Sequence, residues 1–174
     1  MISIALVGDR SPAVRAHSRI PAIVDALREE EQIDLDAYWI PTPDATDPAA
    51  LIGFAGIWLV PGSPYRSEEG AIDLVPGSRI EGLLGTTRTV ERYHCSYGVS
   101  PGYIGLLATH GMIFSGHDDA GDVRVAELPG HPFFLATLFQ PELNTDGVHP
   151  VIRGFAHAAA AAHAAAAHGP VGAA

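Results

Sequence analysis

The strongest indication of the fold is a short apolar run near the amino terminus, ISIALVG at residues 2–8. The run is continuous rather than alternating, and Gly8 and Asp9 end it. Both features are typical of a strand that is buried on both faces, as strands of parallel sheets are. The run therefore predicts the first strand of a parallel sheet.

The residues that follow, as far as residue 62, support this prediction. Apolar residues recur at helical spacing after the first run, at Ala16, Ile20, Ile23 and Leu27, with Ser18 as a candidate cap and Pro21 in the first turn. Two further apolar runs, AYWIPT (37–42) and GIWLVPG (56–62), are separated by a loop rich in Pro and Asp. A strand, a helix and two strands in this order predict a parallel sheet with helices on its faces.

The pattern changes after Ile72. The segments VPGSRIEGLLG, RTVERYHCSYGV, MIFSGHDDAGDVRVAELP and FFLATLFQP are strand-like, and we expect one short helix across 101–110. An alanine-rich segment near the end predicts a helix that frays into a Gly/Pro tail. Its histidines are spaced so that they point in different directions around a helix, and we expect no metal site there: His157, His163 and His168.

The composition excludes several classes of function. The 174 residues carry a formal net charge of −10, which opposes binding to nucleic acid or to anionic membranes. Cys95 is the single cysteine, so neither an intramolecular disulfide nor a Cys-based zinc site can form. The chain has neither a GxGxxG nor a GxxxxGK[ST] motif, so we expect no nucleotide cofactor. With no signal-peptide or transmembrane pattern, we expect a cytoplasmic protein.

Three stretches together resemble the C-terminal glutaminase half of CTP synthase, a class I glutamine amidotransferase. They are IALVGDR, GIWLVPGSPYRSEEGAI, and the long segment from VPGSRIEGLLG to HPFFLATLFQPEL. The likeness covers most of residues 1–156 and is greatest to stand-alone proteins related to the CTP synthase C-terminal region. The resemblance implies a flavodoxin-like α/β fold, with a mostly parallel central sheet flanked by helices and an added antiparallel hairpin. It also implies a Cys-His-Glu triad that hydrolyses glutamine.

The last predicted strand departs from this family at the general base. The family's strand ends in Phe-His-Pro-Glu, whereas this chain has Phe139-Gln140-Pro141-Glu142. Gln140 stands at the position of the histidine, and an amide can form hydrogen bonds but cannot transfer a proton. Glu142 matches the glutamate that orients the imidazole. Gln140 and Glu142 are therefore the degenerate triad positions.

The nucleophile is the second departure. In the family, a helix, a strand and a Gly-x-Cys-x-Gly turn follow the Pro-Gly loop, but here this unit is apparently deleted near residues 72–73. Either the remaining strands have resealed, or the sequence omits a segment that the protein possesses. Cys95 is a weak candidate for a replacement nucleophile, since a small half-buried residue is the commoner role for a free cysteine. His131 beside Pro132 matches a structural His-Pro of the family.

The substrate-binding positions are only partly kept. The Pro-Gly loop reads Pro61-Gly62-Ser63-Pro64, so Gly62 and Ser63 remain as donors for an oxyanion, while Pro64 has no N–H. Arg92 matches a cation that holds the substrate's carboxylate in the family, and His94 lies in the same segment.

Two functional hypotheses follow. The first is a diverged amidotransferase with an altered amide hydrolase or transferase activity and an incomplete triad. The alternative is a pseudoenzyme that binds a small amino-acid-like ligand or a partner protein. In both cases we expect a small amide or amino-acid-like ligand, no metal and no cofactor, and a homo-oligomer or a synthetase partner. We expect one amidotransferase-like domain over 1–156 and a helix and tail over 157–174.

Overall fold

The computed structural model describes residues 1–62, 68–93 and 98–168, which form two compact units. The first unit comprises the amino-terminal third and most of the last helix, and the second comprises the middle of the chain. The described residues are distributed as 1–62, 145–148 and 152–168 in unit 1, and as 68–93, 98–144 and 149–151 in unit 2. No helix within these described ranges is long and apolar enough to cross a membrane.

Unit 1 is built on a three-stranded parallel sheet. Its strands are β1 (Ile2–Val7), β2 (Leu35–Ile40) and β3 (Gly56–Leu59), in the order β2-β1-β3. In the registers, Ile4 lies beside both Ala37 and Gly56. The three strands and the parallel pairing that the sequence predicts are confirmed.

Two helices pack on one face of this sheet. They are α1 (Arg15–Glu31) and α4 (Pro150–Ala167). Their apolar sides form one core with the strands, to which fully buried residues contribute from all three kinds of element: Ile4 and Leu6, Ile20 and Leu27, Ile152 and Ala156. Each of these isoleucine and leucine side chains contributes roughly 1.5–3 kcal/mol on burial. At Gly56 an added Cβ would lie 2.7 Å from the ring of Phe155, so this close approach requires glycine.

Helix α1 begins earlier than the sequence predicts. It begins at Arg15, and the hydroxyl of Ser18 donates to the carbonyl oxygen of Arg15 within the helix rather than capping it. Pro21 consequently lies inside the helix and not in its first turn. Ala16, which precedes the expected cap at Ser18, is fully buried, so the helix begins before that local signal.

Unit 2 contains a five-stranded antiparallel sheet. Its strands are β4 (Glu68–Leu74), β5 (Arg88–Tyr93), β6 (Ile113–His117), β7 (Val123–Glu127) and β8 (Leu135–Thr137), in the order β5-β4-β6-β7-β8. The fold is α/β, as predicted, but the antiparallel part is a full sheet rather than a single added hairpin. Positions 72 and 73, near which the sequence predicts a deletion, are consecutive residues within β4, and the deletion stays a prediction.

The helices of unit 2 are α2 (Arg79–Leu84) and α3 (Pro101–Thr109). Helix α3 confirms the expectation for 101–110, whereas α2 lies where VPGSRIEGLLG was expected to be a strand. The reason is a local cap: the hydroxyl of Ser78 accepts from the N–H of Glu81, and Gly85 ends the helix with a φ of 66°. The domain boundary expected at 157 stays a prediction, and it falls within the continuous helix α4.

Candidate functional site

The Pro-Gly loop leaves the carboxyl end of β3 in unit 1, and a buried histidine holds its first residue. His17, on α1, is 5% exposed, and its Nε2 lies 2.7 Å from the carbonyl oxygen of Pro61. Its Nδ1 accepts a hydrogen bond from the N–H of Ser11, at 3.1 Å. Because Nδ1 is an acceptor, the ring proton is on Nε2, which donates to Pro61. The sequence reasoning missed this residue.

The donors expected for an oxyanion lie just beyond Pro61. Gly62 is exposed, and an added Cβ there would meet no described atom within 4 Å. Its backbone therefore has room for a ligand. Ser63 and Pro64 lie outside the described residues, as do His94 and Cys95. The roles expected for Gly62, Ser63, His94 and Cys95 stay predictions.

Unit 2 brings together two of the predicted site residues, Arg92 and Gln140. Arg92 lies on β5, and its backbone carbonyl accepts a hydrogen bond from the N–H of Gln140 at 2.8 Å. The guanidinium of Arg92 pairs with the carboxylate of Glu69 on the neighbouring strand, with Nε and Oε1 2.8 Å apart. Both side chains of this pair are well exposed, so a ligand carboxylate can compete with Glu69 for Arg92 at little cost.

The amide of Gln140 lies at the entrance of a short 3-10 helix, Pro141–Leu143. Its Oε1 is buried and accepts no hydrogen bond from any of the described residues. Glu142, in the same short helix, is 2% exposed. A buried acceptor without a donor costs about 1–3 kcal/mol, so the position of this amide is unfavourable for stability alone.

A second buried imidazole lies in unit 2, which the sequence reasoning also missed. His149 Nε2 lies 3.3 Å from Glu91 Oε1, and both side chains are nearly buried. His149 Nδ1 accepts from the N–H of Val151 in the first turn of α4, and the ring packs 5.6 Å from that of Phe139. Since both ring nitrogens are engaged, His149 anchors the start of α4 and is not free to act as a base. Its position before Pro150, the first residue of the helix, is the signal that could have identified it.

Two other histidines of the described residues have contacts of their own. His131 Nδ1 accepts from the N–H of Phe133 within a turn, which agrees with the structural role expected for it. His157 lies 3.2 Å from Glu31 at the surface of α4. In the described ranges 1–62, 68–93 and 98–168, no three His, Cys, Asp or Glu residues are grouped as a metal ion would require.

Sequence comparison finds related proteins over about half of this chain. A CTP synthase of Archaeoglobus fulgidus is 37% identical over 90 residues, which are 51% of this chain and 17% of that protein. One of Methanothrix thermoacetophila is 42% identical over 85 residues, and one of Azospirillum brasilense is 36% identical over 123 residues. The matches cover 15% to 23% of these three proteins. No family model matches the chain.

Structural comparison extends the similarity to nearly the whole chain. The glutaminase domain of a Trypanosoma brucei CTPS with bound acivicin superposes with a TM-score of 0.79 over 92% of this chain and 94% of that domain, at 17% identity. A putative GMP synthase subunit from Thermoplasma acidophilum superposes with a TM-score of 0.61, at 14% identity. The chain is therefore a relative of CTP synthases with the fold of their glutaminase domain, and the resemblance that the sequence predicts is confirmed.

Proposed function

We propose that this glutaminase-like domain binds a small amino-acid amide and does not hydrolyse it. The observation that carries the proposal is the position of Gln140. Gln140 stands at the position that matches the related family's general base, its backbone N–H donates to the backbone carbonyl of Arg92, and its buried side-chain Oε1 accepts no hydrogen bond from the described residues.

The amide at position 140, where the related family has a general base, is what would separate binding from hydrolysis. Hydrolysis of an amide by a thiol requires a group that takes the thiol proton and then gives it to the leaving ammonia. Gln140 cannot do either, since an amide does not titrate near neutral pH. The buried imidazole of His149, in the same unit, has both nitrogens engaged by Glu91 and Val151. A carboxamide oxygen can instead accept a hydrogen bond from a ligand ammonium or amide group.

Arg92 supplies the complementary charge. Its guanidinium presents paired donors to a carboxylate, and its bond to Glu69 is an exposed one that a ligand can displace. A ligand with a carboxylate for Arg92 and an N–H donor for Gln140 has the chemistry of an amino acid. We use L-glutamine as the probe because the related domains are glutaminases.

The test measures binding and turnover on the same protein. Calorimetric titration with L-glutamine is expected to give saturable heat, and ammonia release is expected to stay at the background rate. Arg92→Ala is expected to weaken binding at least about tenfold, since a charge-assisted hydrogen bond contributes roughly 1.5–3 kcal/mol. Arg88→Ala is the matched control, because Arg88 lies on the same strand and forms exposed pairs with Asp73 and Asp119.

Either of two results would overturn the proposal. Release of ammonia above background by the unmodified chain would restore the hypothesis of an altered hydrolase. Equal binding by the Arg92→Ala and Arg88→Ala variants would show that the guanidinium of Arg92 does not hold the ligand's carboxylate.

A further inference from the structure

Arg92 has an acidic neighbour at the surface of unit 2. Arg92 of β5 and Glu69 of β4 are directly opposed in the antiparallel register, and the Nε of Arg92 donates to the Oε1 of Glu69 at 2.8 Å. The side chain of Arg92 is 37% exposed and that of Glu69 is 57% exposed. A ligand that approaches the guanidinium from solvent therefore also meets the carboxylate of Glu69.

The guanidinium of Arg92 is only partly engaged by the protein. Nε is its one nitrogen that donates a hydrogen bond to any of the described residues. The outer nitrogens, Nη1 and Nη2, together present the forked donor edge with which arginine binds a carboxylate through two hydrogen bonds. A ligand carboxylate can therefore bind this edge while Glu69 stays beside Nε.

A second arginine on the same strand differs from Arg92 in this respect. The Nη1 of Arg88 donates at 2.6 Å to Asp73, its register partner on β4, and Nη2 donates to Asp119 at 2.8 Å. Both outer nitrogens of Arg88 are thus bound to carboxylates of the protein, as in an ordinary surface ion-pair network. Of the two arginines, Arg92 is therefore the better binding site for an external anion.

The charge of Glu69 determines which anions Arg92 can accept. A carboxylate beside the guanidinium repels the carboxylate of a ligand, but it attracts an ammonium group. An amino acid has both groups on one carbon atom, so its ammonium can face Glu69 when its carboxylate binds Arg92. On the basis of the function proposed above, in which Arg92 holds a ligand's carboxylate, we propose that Glu69 binds the α-ammonium group and selects amino acids over carboxylic acids that lack one.

The test compares L-glutamine with glutaramate, which is glutamine without its α-amino group. Calorimetric titration of the unmodified chain is expected to give about tenfold tighter binding of L-glutamine. Glu69→Gln is expected to weaken the binding of L-glutamine about two- to fivefold and to tighten the binding of glutaramate by a similar factor, as the loss of one exposed charge allows. Asp73→Asn is the matched control, because Asp73 pairs with Arg88 on the same two strands, and both affinities should stay within about twofold of those of the unmodified chain.

Opposite changes for the two probes would identify Glu69 as the residue that binds the ammonium group. Equal affinity of the unmodified chain for both probes would overturn this role, as would a Glu69→Gln variant in which both affinities change in the same direction. In either case, binding of L-glutamine that still depends on Arg92 would leave the function proposed for the domain in place. No saturable heat from L-glutamine with the unmodified chain would instead overturn the proposed function, and the role of Glu69 with it.

Discussion

The imidazole of His17 donates a hydrogen bond from Nε2 to the backbone carbonyl of Pro61, across 44 residues of sequence. It simultaneously accepts from the N–H of Ser11, so one buried side chain joins the loop after β1 to the loop after β3. The ring also packs edge-on against Trp39 of β2. His17 therefore fixes the start of the Pro-Gly loop relative to all three parallel strands.

Replacing His17 by alanine is expected to lower the free energy of unfolding by about 2–3 kcal/mol, because it removes two partly buried hydrogen bonds and leaves backbone groups of Ser11 and Pro61 without these partners. Urea denaturation measures the change. His163→Ala is the control, since His163 is exposed on α4 and its loss should change stability by less than about 0.5 kcal/mol. Equal effects of the two substitutions would contradict the bridging role of His17.

Glu127→Ala is expected to destabilise the chain by about 3 kcal/mol or more. The carboxylate of Glu127 is 3% exposed and accepts hydrogen bonds from the N–H groups of Arg79 and Ile80 at the start of α2, and from the hydroxyl of Ser115. Glu127→Gln is expected to lower the free energy of unfolding by nearly as much. Its side-chain NH2 is a hydrogen-bond donor and would face N–H groups that are donors themselves.

The control for Glu127 is Glu68→Ala, which removes an exposed carboxylate from the same sheet. Its effect on chemical denaturation is expected to lie within about 0.5 kcal/mol of zero. If Glu68→Ala lowered the free energy of unfolding as much as Glu127→Ala, the change in net charge, and not the loss of the cap of α2, would explain the result.

The pattern of apolar residues in the sequence predicted the parallel sheet correctly but did not predict helix α2. The run from Ile2 to Gly8 has a single compatible environment, a strand covered on both faces, and its helix follows from the apolar spacing after Ala16. Helix α2 was missed because its cap combines Ser78 with the distant Glu127, whose carboxylate accepts from the first two N–H groups. A pattern of apolar residues within one segment cannot reveal a hydrogen bond to a residue as distant in sequence as Glu127.

The candidate site was predictable to the same limited extent. Gln140 and Arg92 were identified from the resemblance, and the structure brings their backbones within hydrogen-bonding distance. His17 and His149 were not, because each acts through a partner more than 40 residues away, Pro61 and Glu91 respectively. The proline after His149 marks the start of a helix, but nothing in the sequence around either histidine indicates its distant partner.

Acid is expected to remove the stabilising contribution of Asp118. Burial raises the pKa of this carboxyl, but hydrogen bonds from Arg124 and from the N–H groups of Asp122 and Ala120 outweigh it, and the net pKa is lowered. A lowered pKa in the folded state means that the contribution is full above the unfolded pKa of about 3.9 and disappears as the pH falls below it. The difference in unfolding free energy between the unmodified chain and Asp118→Asn should therefore shrink below about pH 4.

Asp122→Asn is the control for this pH dependence. Asp122 Oδ2 lies 3.8 Å from Arg124, and its side chain is exposed, so its contribution should be small at every pH. Urea denaturation of the three proteins at neutral and acidic pH measures both differences. A difference for Asp118→Asn that grows in acid would contradict the lowered pKa.

Gln140 is expected to oppose stability while supporting ligand binding. Its Oε1 is buried and receives no hydrogen bond from the described residues, so Gln140→Leu, which has a similar size, should raise the free energy of unfolding by about 1 kcal/mol. The same substitution should abolish binding of L-glutamine, because the acceptor is gone. Gln140→Glu retains the shape of the side chain but introduces a buried charge, so it should lower the free energy of unfolding at neutral pH. In acid the carboxyl group is protonated, and the free energy of unfolding should recover. A destabilising Gln140→Leu that still binds the ligand would show that the amide serves the fold and not a ligand.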